Sequence, residues 1–226
     1  MFSEMFMKLW DNGIIQKGIL ETLYLTGVST VFSYLFGLPL GVILHITDKS
    51  GIHPIPWLNR ALGIIVNVFR SIPFIILMVA MLPVAKWLIG ASLGNEAMIV
   101  MLIIAATPYV ARMVESSLKE VGSGVIEAAQ SMGASDFTII CKVLLPEAKP
   151  SLIVGGVISM VTILSYSAMA GTIGGGGLGQ IAITYGYQRS KDDIIWICVF
   201  LIVVIVQVIQ ELGMRTAHKT DKRVRS

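Results

Sequence analysis

The chain alternates long uncharged apolar stretches with short polar breaks, and a helix needs about 20 apolar residues to cross the hydrocarbon core of a bilayer. Thr22 to Thr47 carries no charge, and Gly37, Pro39 and Gly41 lie inside it. Such breakers are tolerated in membrane helices because neighbouring groups re-satisfy the backbone. Ala61–Phe69 and Ser71–Ala85 are also uncharged, with Arg70 between them. Either one tilted helix holds Arg70, or the span starts near Ser71 behind an interfacial helix. A third stretch centres on Ala97–Ala111 and ends at Arg112 and Glu115. From Pro150 no charge appears until Arg189, too long a run for one span, and Gly174–Gly177 marks where that helix stops. A fifth stretch runs from Ile194 to Gln210. The pattern predicts an all-α polytopic membrane helix bundle in one domain. Its five transmembrane spans fall at roughly 20–46, 61–89, 94–115, 150–172 and 192–214, with one long loop at 117–149.

Composition agrees. Of 226 residues, 55% are hydrophobic and 14% charged, against about 25% charged in a soluble domain. Mean hydropathy is +0.80. A soluble globule of this size cannot bury that much apolar surface, and disorder is excluded for the same reason. The net charge is +3, and the basic residues are scattered, so nucleic acid is not an expected partner. Cys141 and Cys198 have no metal or redox spacing, and His45, His53 and His218 have no ligand spacing. Neither a metal nor a cofactor is expected. Met1–Trp10 holds Glu4 and Lys8 and no continuous apolar core, unlike a signal peptide.

Five spans put the termini on opposite sides. The stretch His218–Arg225 is strongly basic, so the positive-inside rule places the C-terminus in the cytoplasm and the N-terminus outside. The 117–149 loop then also lies inside. Of the 17 Lys and Arg, only Lys8, Lys17, Lys86, Arg189 and Lys191 fall outside.

That loop carries most of the information. Gly122-Ser123-Gly124 breaks the preceding helix, and Val125–Met132 is expected to form a short one with Glu127 in its first turn, where the helix dipole favours a carboxylate. Gly133 suits the helix end, and Ser135 looks like the next N-cap. Phe137, Ile140, Cys141 and Leu144 fall at i, i+3, i+4, i+7 and predict one apolar face. Pro146 is expected to stop that helix and Pro150 to start the following span.

Glu127-Ala128-Ala129, three residues, Gly133, nine residues, then Val143-Leu144-Leu145-Pro146 resembles the signature loop of permease subunits of ATP-binding-cassette importers. Val143 stands where that family has Ile. Phe69–Phe74, Tyr166–Gly171, Gly177–Gly179 and Tyr185–Arg189 are similar to the methionine-importing branch. The resemblance implies a type I importer fold, with Glu127, Ala128, Ala129, Gly133, Leu145 and Pro146 coupling the chain to a cytoplasmic ATPase. It further implies two copies of that ATPase, an extracytoplasmic substrate-binding protein, and alternating access that carries methionine (L- and/or D-) inward. No Gly-Lys dipeptide occurs, so a Walker A loop is absent and ATP must be handled by another chain.

Five helices enclose a path poorly, so a homodimer is expected, with the path on its axis. Gly37/Gly41 and Gly171/Gly175 are small-residue pairs that permit close helix approach. The fourth span is the best choice for lining the path through Met160, Thr162, Ser165, Tyr166 and Met169. The plain alternative is that its hydroxyls bond their own helix and its methionines pack. Arg70 is a candidate functional charge or a snorkelling residue. The glycine run reads as a flexible outer loop. An ion-coupled secondary transporter is the rival function. No Asp or Glu occurs between Asp48 and Glu96 or between Glu147 and Asp192, which weakens proton coupling and leaves sodium coupling open.

Overall fold

The computed structural model describes residues 4–220. Lys222, Arg223 and Arg225, on which the orientation argument partly leans, lie outside the described residues. Among those described there are helices and no strand. They are α1 (Glu4–Asp11), α2 (Ile14–Ile46), α3 (Pro56–Ser71), α4 (Phe74–Ile89), α5 (Asn95–Lys119), α6 (Ser123–Ser131), α7 (Asp136–Ile139), α8 (Leu145–Ala170), α9 (Leu178–Ile181) and α10 (Asp192–Thr220). Four helical stretches are long and apolar enough to cross a membrane: α2, α5, α10 and the run Asp136–Ile173 that contains α8. The α3–α4 pair becomes a fifth if counted as one broken span.

That pair settles the ambiguity around Arg70. The chain does not form one helix over 61–89: α3 ends at Ser71 and α4 begins at Phe74, with the break at Ile72–Pro73. Proline disfavours the α conformation in the residue before it, and Pro73 itself adopts ψ 133° before the first turn of α4. Arg70 is exposed in the last turn of α3, where a cation complements the helix dipole.

By contact density the chain divides into two compact units, Met1–Phe32, Ile72–Ala106 and Met160–Ile209 in one, Ser33–Ser71, Thr107–Ser159 and Gln210–Ser226 in the other. In the first, Leu25, Met78, Met98, Met101, Leu102 and Ala170 form a buried core. Phe74 stacks on Tyr166 at its edge, with ring centroids 4.2 Å apart. A second cluster joins Leu9 and Ile15 to Leu178, Ile181, Ile194 and Cys198.

In the other unit, Val110, Val114 and Leu118 of α5 pack with Ala129, Ile139, Leu144 and Ala148. Here α2 and α5 approach closely through the small residues of α2. A Cβ on Gly41 would lie 2.5 Å from the Ala111 carbonyl and 2.7 Å from Val114 Cβ, and one on Gly37 would lie 2.7 Å from Val110. The Gly37/Gly41 pair therefore serves packing within the chain. Gly171 and Gly175 are likewise buried inside the chain.

The loop after α6 departs from expectation at two points. Phe137 and Cys141 do not face the core: both are exposed, while Ile139, Leu144 and Ala148 are buried. A π turn over Ile140–Leu144 is the reason. Its wider i→i+5 turn puts Ile139 and Leu144 on one face, which a uniform 3.6-residue period does not. Pro146 does not stop the helix, and Pro150 lies inside α8. The π turn lies immediately before Pro146, where a proline lacking its N–H breaks the regular ladder.

Gly41→Val should overpack the α2–α5 crossing and destabilise the protein by about 2 kcal/mol. Gly27→Ala, with nothing within 4 Å of its Cβ, should be neutral or stabilising by about 0.5 kcal/mol. Thermal melting in detergent checks both, with opposite signs expected.

Candidate functional site

The loop between α5 and α8 folds as a helical hairpin. Gly133 adopts φ +76°, a left-handed conformation open to glycine at little cost. Its amide donates to the Gln130 carbonyl at 2.9 Å and the Ala134 amide to the Ala129 carbonyl at 3.1 Å. Those two bonds form a Schellman end to α6, and Ala129 and Ala134 also meet in the same apolar cluster. Two residues on, Ser135 caps α7: its Oγ accepts from the Thr138 amide at 3.4 Å and lies 2.9 Å from Thr138 Oγ1.

The hairpin thus has two faces. Ala129, Ile139 and Leu144 pack inward. Glu127, Ala128, Gly133 and Pro146 are exposed, and Leu145 is half-buried. A Cβ on Gly133 would meet nothing within 4 Å. So the motif residues fall at the two ends of the loop, on α6 with its turn and at the start of α8, and four of the six are exposed.

Charges brace the same unit. Arg112 Nη1 donates to Glu115 Oε2 at 2.6 Å, and Arg112 Nη2 donates to the Gly63 carbonyl at 3.2 Å and to Asn67 Oδ1 at 3.0 Å. Lys119 bonds Glu115 Oε1 at 2.8 Å and reaches Asp48 at 3.4 Å. The Glu115 side chain is 6% exposed, so its charge is held by two cations. Burial alone would raise the Asp48 carboxyl, but the Lys49 amide and Lys119 outweigh it and bring it below the ordinary carboxylate value. The i, i+3 spacing of Arg112 and Glu115 is visible in the sequence. The long-range partners Asp48, Gly63 and Asn67 carried no local signal.

On α8, Ser165 and Met169 are exposed at i, i+4, and Thr172 is exposed in the 3-10 turn that follows. Met160, Thr162 and Tyr166 are half-buried. Ser165 Oγ donates to the Val161 carbonyl at 3.2 Å and Ser167 Oγ to the Leu164 carbonyl at 2.8 Å. Both hydroxyls satisfy their own helix, as the plain alternative expected.

The glycine run is a packed turn. The amides of Gly176, Gly177 and Leu178 donate to Asn95 Oδ1, Glu21 Oε2 and Thr22 Oγ1, each at 2.9 Å. Gly175, Gly177 and Gly179 are buried. The expected flexible loop is replaced by a turn whose backbone donors are satisfied by side chains of α2 and α5. Glu21, Thr22 and Asn95 were missed as site residues, because nothing local in the sequence links them to a turn some 80 to 156 positions away.

Residues 37–225 match the family described as "Binding-protein-dependent transport system inner membrane component". The chain is 50% identical over 213 residues to the "Probable D-methionine transport system permease protein MetI" of Vibrio cholerae, covering 94% of this chain and 95% of that one. It is 42% identical over 203 residues to the "Methionine import system permease protein MetP" of Bacillus subtilis, covering 90% and 91%. A solved structure of the MetNI methionine ABC transporter in inward-facing conformations superposes with a TM-score of 0.92 at 43% identity, over 97% of this chain and 100% of that one. An amino acid ABC transporter with histidines shares the fold, at a TM-score of 0.77 and 18% identity.

Glu115→Leu should leave Arg112 without its closest anion and destabilise the protein by about 3 kcal/mol, read as a lowered melting temperature. Because the Asp48 value is lowered in the folded state, its contribution is full above the unfolded carboxylate range near pH ~4. It is lost as the pH falls through the lowered folded value. Asp48→Asn should flatten that acid-side dependence of melting.

Proposed function

The chain belongs to the family of binding-protein-dependent transport system inner membrane components, and on that premise we propose that it is the permease subunit of an ATP-driven methionine importer. The observation that carries this reading is the full-length likeness to methionine permeases, which spans both compact units. In this reading two copies pair and two cytoplasmic ATPase subunits supply the energy. An extracytoplasmic binding protein delivers the substrate, and the C-terminus lies in the cytoplasm with the N-terminus outside. The chain itself hydrolyses nothing. A secondary transporter is disfavoured, because family members work with a binding protein.

Glu127, Ala128, Ala129 and Gly133, with Leu145 and Pro146 at the far end, form the contact that ATPase closure pulls on. Alanines at 128 and 129 keep α6 narrow enough to enter a cleft. The exposed Ser165 and Met169 of α8 line the path, with Met160, Thr162 and Tyr166 shaping it from behind. Methionine side chains suit a gate because they are unbranched and repack easily. Arg70 is an exposed charge whose substitution tests whether the path needs a cation.

Reconstituted with its ATPase and binding protein, the wild-type chain should take up methionine only with ATP, and Glu127→Arg or Gly133→Trp should uncouple hydrolysis from uptake. Uptake at wild-type rate in both variants would contradict the coupling assignment. Uptake that runs on an ion gradient without ATP would contradict the function.

A further inference from the structure

α3 buries one side and leaves the other bare. Val66 packs with Leu44 and Ala111, edged by Leu40 and Leu62. Asn59 Nδ2 donates to the Leu44 carbonyl at 2.7 Å and to Thr47 Oγ1 at 3.2 Å. These contacts hold α3 against the final turns of α2. On its opposite side Trp57, Ala61, Ile64, Ile65 and Val68 recur at i, i+4, i+7, i+8, i+11, and all five are exposed. The stripe is about 16 Å long at the helical rise per residue, about half of a ~30 Å hydrocarbon core and so the depth of one leaflet.

One end of the stripe opens into a cavity of about 780 Å³, lined by Asp48 and Lys49 after α2 and by Trp57, Asn59, Arg60 and Ile64 of α3. Its two cations are uncommitted. Lys49 and Arg60 are both exposed, and neither has an ion-pair partner among the described residues. The Asp48 charge is already balanced, by Lys119 at 3.4 Å and the Lys49 amide at 2.6 Å. The first turn of α3 holds no acid, so the positive end of its dipole adds to the field of the two cations. An apolar stripe that ends in a cationic hollow is complementary to an acyl chain that ends in a phosphate. Trp57 stands at the join, and tryptophan is enriched where bilayer meets water.

We propose that this hollow binds the headgroup of an anionic phospholipid of the cytoplasmic leaflet. Lys49 and Arg60 pair with the phosphate, and an acyl chain lies along Ile64, Ile65 and Val68. This rests on the proposed orientation, which puts the C-terminal end of α2 at the cytoplasmic face, where anionic lipids attract Lys and Arg.

The test is lipid binding by the full chain in mild detergent, read by native mass spectrometry with added phosphatidylglycerol, phosphatidylcholine or inorganic phosphate. Phosphatidylglycerol should bind in preference to phosphatidylcholine, and inorganic phosphate should not displace it. Lys49→Gln and Arg60→Gln should each weaken phosphatidylglycerol binding about fivefold, and together about 30-fold. Both should melt like wild type in lipid-free detergent, since both side chains are exposed. Lys219→Gln removes an exposed cation of α10 outside the hollow and should change nothing. Equal binding of the two lipids, displacement by inorganic phosphate, or an equal loss in Lys219→Gln would each overturn the headgroup site. So would a disulfide joining two copies through Ile64→Cys, with Cys141 and Cys198 replaced by serine, because a second copy would then cover the stripe. In the same background, Ser50→Cys should react with an impermeant maleimide in inverted vesicles only. Reaction from outside intact cells would overturn the orientation and the leaflet assignment with it.

Discussion

The left-handed turn at Gly133 is the constraint on which the rest of the account depends. It reverses the chain between α6, nine residues long and too short to be stable alone in water, and the helical run Asp136–Ile173. α6 survives because the turn closes its free backbone groups and because Ala129, Ile139 and Leu144 bury against α5. The same turn points Glu127, Ala128 and Met132 away from the core. A packed inner face and a bare outer face suit the coupling role proposed for this hairpin.

A second constraint comes from the apolar medium, in which unpaired backbone groups are costly. Side chains meet part of that demand among the described residues. At the glycine turn, three consecutive amides are taken by Asn95, Glu21 and Thr22. At α3, Arg112 takes the Gly63 carbonyl while balancing Glu115. These polar contacts tie the broken elements to α2 and α5, whose own packing is set by Gly37 and Gly41.

Much of this was legible in the sequence, for identifiable reasons. Long uncharged runs reveal apolar helices because the bilayer demands length. The signature loop reveals a family because its spacing encodes one turn and one cap, and both form as expected at Gly133 and Ser135. The failures share a different cause. Phe137, Ile140, Cys141 and Leu144 were placed on one apolar face by a uniform 3.6-residue period, and the π turn at Ile140–Leu144 shifts that period. Pro146 was read as a stop because a π turn leaves no compositional trace. The glycine run was read as flexible because its partners Glu21 and Asn95 come from far along the chain. Local periodicity and local chemistry are written in the sequence; a change of helical register and long-range side chain–backbone bonds are not.

Site-specific crosslinking in intact membranes tests the central claim most directly. With Cys141 and Cys198 replaced by serine, Ala128→Cys should crosslink to a nucleotide-hydrolysing subunit, in a yield that changes when ATP is trapped there. Crosslinks from this position that reach only lipid or a second copy of the chain, with no ATPase product in either nucleotide state, would contradict the account.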